Sequence, residues 1–178
     1  MQQHDYALDI AVNSILENEG KIFSYSVDLG SGEGSLGYLL KSFTRWLIGV
    51  DVNPNFLNIA YESGDYGELV LADIFSYEIP IETDSIFCFE VIEHFPKDDG
   101  IKLFEDLLAL APSKFIMVST PKTFFPDSVS HRIYELITGS PSGHLSLWTP
   151  EDFFNLGFHD VYIIPNADDF VAVRRKND

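Results

Sequence analysis

The chain has 178 residues, 46% of them hydrophobic, and its 28 acidic side chains outnumber 11 basic ones to give a net charge of −17. The length predicts one domain over residues 1–178, the apolar content supplies a full core, and the charge disfavours general binding to nucleic acid or anionic membranes. No apolar run approaches the roughly 20 residues of a membrane span. The single cysteine, Cys88, excludes an internal disulfide. With no signal-peptide pattern at the N-terminus, these features favour a cytoplasmic protein.

The predicted elements alternate between helices and strands. A first helix is expected over residues 6–18, a second over 35–43, and further helices from Asn53 and from Asp98; strands are expected at 24–29, 46–50, 68–71, 85–89 and 115–119. The last two strands, 161–164 and 169–173, are separated by only four residues, which forces an antiparallel hairpin. The pattern predicts an α/β fold with a doubly wound, Rossmann-like, seven-stranded sheet, mostly parallel with an antiparallel last strand.

The first strand leads into a glycine-rich run from Asp28 to Gly34, D-L-G-S-G-E-G. Glycines allow positive φ and close approach of a ligand, and a helix start offers free backbone N–H groups. This predicts a cradle for a nucleoside-type cofactor at the carboxyl edge of the sheet. The dinucleotide fingerprint G-x-G-x-x-G would need a third glycine at Ser35, so a nicotinamide oxidoreductase is disfavoured.

Acidic side chains follow the next strands. Asp51 ends the second strand and is placed to accept hydrogen bonds from both hydroxyls of a ribose. After the fourth strand, Glu90, Glu93 and His94 put two carboxylates and an imidazole within five residues, and a helical turn would bring the two glutamates to one side. With His144 they form a candidate site for Mg²⁺, Mn²⁺, Fe²⁺ or Zn²⁺. Without a metal, His94 is the first candidate for a general base and His144 the second.

Residues 121–150, here called the lid segment, form a long excursion beyond the fifth strand that is rich in Pro, Ser, Gly and aromatic residues. Such excursions are often lids or substrate-binding loops. Phe124, Phe125, Tyr134 and Trp148 either line an apolar acceptor pocket or pack into the core. Lys122 either meets an anionic acceptor or is solvated.

The glycine run and the segments after the later strands, taken together, resemble the class I S-adenosylmethionine-dependent methyltransferases over residues 27–173. The resemblance implies that S-adenosylmethionine is the cofactor. It also implies that the glycine-rich run and residues at the carboxyl ends of the neighbouring strands hold it. An acid in the position of Asp73 would contact the adenine amino group, with Ile74 and Val52 near the ring. The implied cofactor residues are Asp28, Gly30, Gly32, Gly34, Asp51, Val52, Asp73, Ile74 and Glu90.

The E-x-x-E-H run resembles two groups of these enzymes: the O-methyltransferases of ubiquinone biosynthesis and the enzymes that methylate the 2′-hydroxyl at the 3′ end of small RNAs. The second group implies a divalent metal, Mg²⁺ or Mn²⁺, held by Glu90, Glu93, His94 and His144. The text after His144, L-S-L-W-T-P-E, is commoner in small-molecule methyltransferases. The predicted function is therefore methylation of a small-molecule acceptor, most simply at a hydroxyl oxygen, with His94, Glu93 and His144 as catalytic residues. N-methylation, RNA 3′-end methylation and a non-catalytic cofactor-binding module remain open, and the oligomeric state is unreadable.

Overall fold

The computed structural model describes residues 6–110, 114–124 and 143–175. Its helices are α1 (Tyr6–Glu19), α2 (Gly37–Leu40), α3 (Pro54–Ser63), α4 (Lys97–Leu110) and α5 (Pro150–Asn155), with a 3₁₀ turn at Ile92–His94. Its strands are β1 (Phe23–Leu29), β2 (Thr44–Asp51), β3 (Glu68–Leu71), β4 (Ser85–Phe89), β5 (Phe115–Pro121), β6 (Asp160–Ile163) and β7 (Asp169–Arg174).

The seven strands form one sheet in the order β3-β2-β1-β4-β5-β7-β6. Neighbours from β3 through β5 are parallel, while β7 runs antiparallel to both β5 and β6. The predicted α/β fold with its reversed last strand is therefore confirmed. Because β1 and β4 are neighbours in the middle of the sheet, the chain changes direction there, and the crevice above their carboxyl ends is where such folds bind ligands.

Both faces of the sheet are covered, which makes three layers. Alternate residues of each strand face opposite sides: in β4, Phe87 packs with helices α1 and α2, whereas Ile86 and Cys88 pack with α4 and α5. Strands buried on both faces are typical of parallel sheets and account for the continuous apolar runs in the sequence. Helix α3 contacts the edge strand β3 and its neighbour β2.

Helix α3 begins and ends where the sequence predicts. The Asn53 side chain accepts a hydrogen bond from the Asn55 backbone N–H at 2.9 Å, and Pro54 occupies the first turn. Gly64 closes the helix in the left-handed conformation with φ of 68°. These local signals fix the connection that follows β2, and with it the backbone next to Asp51.

Two helices differ from the prediction. The helix expected over 35–43 is a single turn, Gly37–Leu40, because Ser42 and Phe43 make three-residue turn bonds and Thr44 already pairs with Phe23 in the sheet. Helix α5 was not predicted. Its signal is present, however: Thr149 and Asp152 form a reciprocal capping box ahead of Pro150.

Candidate functional site

The glycine turn after β1 folds over the end of β2. The backbone N–H groups of Gly30 and Ser31 donate to the Val50 carbonyl at 2.8 and 3.0 Å. Gly30 has φ of 74°, and a Cβ there would lie 2.4 Å from a methyl of Val91, so no larger residue fits. Gly32 has φ of 54°, and a Cβ there would meet no atom within 4 Å. The turn thus closes tightly on the protein at Gly30 and leaves space at Gly32.

Asp51, the last residue of β2, is held by two backbone donors. Its Oδ2 accepts a hydrogen bond from the Gly32 N–H at 2.9 Å, and its Oδ1 accepts one from the Asn53 N–H at 2.8 Å. Hydrogen bonds from N–H groups to a carboxylate are stronger than neutral ones, so they fix the orientation of the side chain. Each carboxylate oxygen keeps further acceptor capacity, which suits recognition of paired hydroxyl groups.

These residues open onto a cavity of about 280 Å³ at the carboxyl ends of the strands. Its wall combines apolar side chains with a few polar groups, as ligand sites usually do. The lining residues are Gly30, Gly32, Asp51, Val52, Phe56, Ala72, Asp73, Ile74, Glu90, Val91, His94 and Phe95. This distribution of apolar and polar groups suits a nucleoside, whose flat base would contact the apolar wall and whose ribose would contact Asp51.

Seven of the nine residues that the sequence assigns to the cofactor line this cavity: Gly30, Gly32, Asp51, Val52, Asp73, Ile74 and Glu90. The other two, Asp28 and Gly34, do not line it. The Asp28 carboxylate is buried and accepts a hydrogen bond from the Tyr66 hydroxyl at 2.7 Å. A Cβ on Gly34 would meet Tyr66 and Ala60. Both residues lie behind the turn, and any effect on a ligand passes through the turn.

Asp73 has a local role as well as a position at the cavity. Its Oδ1 accepts from the Phe75 N–H at 3.0 Å, and its carbonyl accepts from the backbone of Ser76 and Tyr77, so it shapes the turn after β3. The Phe75 ring meets the Phe95 ring edge-to-face, with 4.8 Å between centroids. This turn and Phe95 form the apolar end of the cavity.

Glu90 follows β4 in a left-handed backbone conformation, φ 54°, which is uncommon for a residue other than glycine. Two contacts with β5 hold it there. Its N–H donates to the Ser119 carbonyl at 3.2 Å, and its Oε1 accepts from the Ser119 hydroxyl at 2.7 Å. Strained backbone of this kind clusters at functional sites.

Glu93 is almost fully buried, with 2% of its surface exposed. Burial raises the pKa of its carboxyl to about 7; hydrogen bonds to its own backbone N–H and from the Thr120 hydroxyl, at 3.1 Å, oppose the rise, and the charge of Asp169 adds to it. A carboxyl with this pKa exchanges protons near neutral pH, a property of many catalytic acids and bases.

His94 projects into the cavity from the 3₁₀ turn. Its Nδ1 lies 3.2 Å from the Gly143 carbonyl oxygen, which can only accept, so Nδ1 carries the hydrogen of the neutral ring and Nε2 is the basic nitrogen. Nε2 is 4.0 Å from Oε1 of Glu93. The His144 ring stands edge-on to the His94 ring at 5.6 Å. The three residues predicted to be catalytic are therefore neighbours.

Residues 143–149, here called the return loop, are bound to the segment that carries His94. The backbone N–H groups of Leu145 and Ser146 donate to the Glu93 carbonyl at 2.8 and 3.1 Å. The Lys97 ammonium donates to the Leu147 carbonyl at 2.7 Å. These bonds hold His144 beside His94, although the two are 50 positions apart in the chain.

Trp148 does not line an acceptor pocket, which corrects that interpretation. It is 1% exposed and packs among Phe104 and Phe153 in the core, and the Lys97 ammonium lies 3.9 Å from its ring centroid. Phe125 and Tyr134 lie outside the described residues. Phe124 is partly exposed and its ring is 6.4 Å from that of His144, so it stays a candidate for acceptor contact.

The start of the lid segment is bound to the turn between β6 and β7. The Lys122 ammonium donates to the Ala167 carbonyl at 2.5 Å, and the Thr123 hydroxyl donates to Asp168 Oδ1 at 2.7 Å. This placement does not support Lys122 as a contact for an anionic acceptor. Its charge is used to hold the chain as it leaves β5.

The predicted metal site is not supported. Among residues 6–110, 114–124 and 143–175, no three His, Cys, Asp or Glu side chains are grouped closely enough to share an ion. Hydroxyls of β5 instead bind both carboxylates: Ser119 donates to Glu90 and Thr120 donates to Glu93.

Several cavity residues were not predicted. Phe56, Val91 and Phe95 line the wall, while Ser119 and Thr120 orient the two glutamates. Phe95 and Val91 adjoin predicted residues in the chain, which is a signal that could have found them. Ser119 and Thr120 become recognisable only once β5 is paired with β4.

Comparison with known proteins gives a fold and a family match over less than half of the chain. Residues 27–109 match the family model described as a methyltransferase domain. The structure resembles magnesium protoporphyrin IX methyltransferase from Synechocystis PCC 6803 with bound SAH (TM-score 0.68, 17% identity, 95% of this chain and 82% of that one). It resembles the N-methyltransferase NodS from Bradyrhizobium japonicum WM9 (TM-score 0.71, 13% identity, 98% of this chain and 99% of that one). It also resembles the small RNA methyltransferase HEN1 (TM-score 0.65, 23% identity, 94% of this chain), but it spans only 25% of that chain. Comparison with curated proteins gave no match.

Proposed function

We propose that this chain is a class I methyltransferase, which transfers a methyl group from S-adenosylmethionine to a hydroxyl oxygen of a small-molecule acceptor. The observation that carries the proposal is that one cavity is lined both by the nucleoside cradle, Gly30, Gly32 and Asp51, and by the basic imidazole of His94. A donor bound at the first and an acceptor held at the second would meet in the same space. Residues 1–178 would form one domain with the lid segment facing the acceptor.

The residues of the cradle fit the donor. Asp51, fixed by two backbone N–H groups, would accept hydrogen bonds from the ribose hydroxyls. Val52, Asp73 and Ile74 would surround the adenine, and Glu90 would lie toward the charged amino acid end. The donor supplies a sulfonium methyl group, which a nucleophile displaces. Alignment of the two reactants is the main contribution of the protein to such a step.

The acceptor side would handle the proton. A bound donor would supply a sulfonium methyl group to the acceptor oxygen and leave as a thioether, while Nε2 of His94 would take the hydroxyl proton. The Gly143 carbonyl at Nδ1 and the Glu93 carboxylate 4.0 Å from Nε2 would stabilise the resulting imidazolium. His144 orients the His94 ring from the side. No step needs a metal ion.

The net charge of −17 supports a small molecule over an RNA, because polyanions bind through basic surfaces. Among the helices within the described part of the chain, none combines the length and the apolar character that crossing a bilayer requires. A cytoplasmic location stays a prediction.

The test is a pair of measurements on the purified chain. Calorimetry is run with S-adenosylmethionine, S-adenosylhomocysteine and NAD. Methyl transfer from labelled donor is then assayed on a panel of catechols, simple phenols, aliphatic amines and an RNA oligonucleotide with a free 3′ end. We expect binding of the first two ligands only, and transfer to hydroxyl acceptors.

Three outcomes would overturn parts of the proposal. Absence of binding to the adenosyl ligands refutes the cofactor. Transfer to the RNA alone, lost steeply with added salt, identifies the RNA enzyme instead. Tight cofactor binding with no transfer to any acceptor identifies a non-catalytic module.

A further inference from the structure

Tyr66, in the turn between α3 and β3, lies behind the glycine turn. Its ring occupies the space next to three glycines of different elements. A Cβ would lie 3.1 Å from the ring at Gly34, 2.6 Å at Gly37 and 2.8 Å at Gly49. Carbon atoms do not approach to 2.6 or 2.8 Å without something moving. The Tyr66 ring therefore leaves no room for a side chain at Gly37 in α2, and together with Leu69 it leaves none at Gly49 in β2.

The hydroxyl of the same residue reaches the strand that leads into the turn. It donates to Asp28 Oδ2 at 2.7 Å, and Asp28 is buried two positions before Gly30. Burial raises the pKa of Asp28 to about 7, the Tyr66 bond opposes that rise, and the charge of Asp51 adds to it. Tyr66 thus contacts the strand before the turn, the turn itself and the helix after it.

We propose that Tyr66 is a positioning residue for the cofactor: its ring and hydroxyl hold the glycine turn in the shape that lets Gly32 bind Asp51. Tyr66 does not line the cavity, so it acts through the turn. Its loss lets the backbone of residues 30–34 relax into the space behind, which misaligns the Gly32 N–H and the Asp51 carboxylate. This inference rests on the proposed function for the identity of the ligand.

The first arm of the test measures the Kd of S-adenosylhomocysteine by calorimetry. Tyr66→Phe keeps the ring and removes one hydrogen bond to a buried carboxylate, and we expect its Kd to rise about tenfold. We expect kcat at saturating donor to stay within about threefold, since the acceptor side is untouched. Tyr61→Phe is the matched control: that tyrosine is 78% exposed on α3, and its Kd is expected to stay within about twofold.

The second arm tests whether the ring acts through the glycines. Gly37→Ala forces a methyl group against the Tyr66 ring, and we expect it to raise the Kd of S-adenosylhomocysteine about tenfold. In the Tyr66→Ala background the ring is absent, so we expect the same substitution to raise Kd by less than about twofold. An equal effect of Gly37→Ala in both backgrounds would refute the contact as the cause.

The outcomes separate this inference from the proposed function. A wild-type chain that does not bind S-adenosylhomocysteine refutes the cofactor and the inference together. A wild-type chain that binds, with Tyr66→Phe lowering only the melting temperature and leaving Kd unchanged, refutes the inference alone and makes Tyr66 a packing residue. If Tyr66→Ala does not fold, the Kd of S-adenosylhomocysteine in Tyr66→Phe and in Gly37→Ala still tests whether Tyr66 positions the turn.

Discussion

The two sides of the cavity are built on different principles. The proposed cofactor side, at the ends of β1 to β3, consists of backbone groups and Asp51, whose two donors are Asn53, nearby in the chain, and Gly32, in the turn after the adjacent strand. The proposed acceptor side, at the ends of β4 and β5, consists of titratable side chains whose partners come from distant segments, as with His94 and Gly143. If the proposed function holds, donor binding and proton transfer can therefore be altered separately.

Each side also contains one buried carboxyl with a pKa raised to about 7 by desolvation: Asp28 beneath the cofactor side and Glu93 in the acceptor side. Their partners differ. A tyrosine hydroxyl binds Asp28, whereas the Thr120 hydroxyl binds Glu93 next to a histidine. Similar burial therefore serves positioning on one side and, in the proposed reaction, proton transfer on the other.

The largest expected effect comes from removing the base. His94→Ala should lower kcat by about a hundredfold to ten-thousandfold, the usual contribution of general base catalysis. The Kd of S-adenosylhomocysteine should change by less than about threefold, because His94 belongs to the acceptor side. Steady-state assays and calorimetry check both, with His159→Gln as the control. A kcat equal to the wild type in His94→Ala would refute His94 as the general base and, with it, the assignment of the acceptor side.

The complementary change on the cofactor side is Asp51→Ala. It removes two charge-assisted bonds that fix the turn and the predicted ribose contact, so Kd should rise by about a hundredfold or more. Turnover at saturating donor should fall by less than about fivefold. Calorimetry measures the first and initial rates the second, and Asp99→Ala on the exposed surface of α4 serves as the control. Loss of turnover without loss of affinity would contradict the assignment.

Adjacent residues of β5 allow a sharper comparison. Thr120→Val removes the hydrogen bond that stabilises the ionised Glu93, so the pKa of Glu93 rises further and kcat falls about tenfold at pH 7. The alkaline shift of the pH–kcat profile is the measurement. Ser119→Ala, one residue away, removes the hydroxyl that binds Glu90 Oε1 instead and should change the Kd of the donor without moving that profile.

Stability should depend on pH through the same two carboxyls. In the unfolded chain Glu93 and Asp28 lose their protons near pH 4.5 and 3.8, but in the folded chain only near pH 7, so the folded state loses stability as the pH rises through that window. Between pH 5 and 7 the melting temperature of Glu93→Gln, and likewise that of Asp28→Asn, should fall by about 2 °C or more less than that of the wild type. Thermal denaturation at several pH values checks this. A curve parallel to the wild type in either variant would contradict the raised pKa at that residue.

The smallest expected effect is that of metal removal. Because no three ligating side chains are grouped among the described residues, and because Ser119 and Thr120 bind oxygens of the two glutamates, dialysis against EDTA should change kcat by less than about twofold. Assays before and after dialysis, with Mg²⁺ or Mn²⁺ added back, measure it. Loss of activity that either ion restores would reinstate the metal site.

The features that local signals determine were predictable. The bounds of β3 and β4, the caps of α3 and the terminal hairpin follow the sequence pattern, and seven predicted cofactor residues line the cavity. Glycine turns and helix caps depend on residues a few positions apart, so they can be read without knowing the rest of the fold.

The features that depend on distant contacts were not predictable. The length of α2 is limited by the pairing of Thr44 with Phe23, and the carboxylates of Glu90 and Glu93 are bound by hydroxyls of β5. Gly34 was assigned to the cofactor because it belongs to the glycine run, yet its space is taken by Tyr66. Sequence spacing cannot distinguish a glycine that faces a ligand from one that faces another part of the protein.

The lid segment has both of its ends fastened to the domain, by Lys122 and Thr123 at the β6–β7 turn and by the return loop at Glu93 and Lys97. The domain therefore grips the chain firmly on both sides of residues 125–142. In the proposed enzyme, replacing the sequence between these two points is expected to change the acceptor while His94 and the glycine turn keep their places.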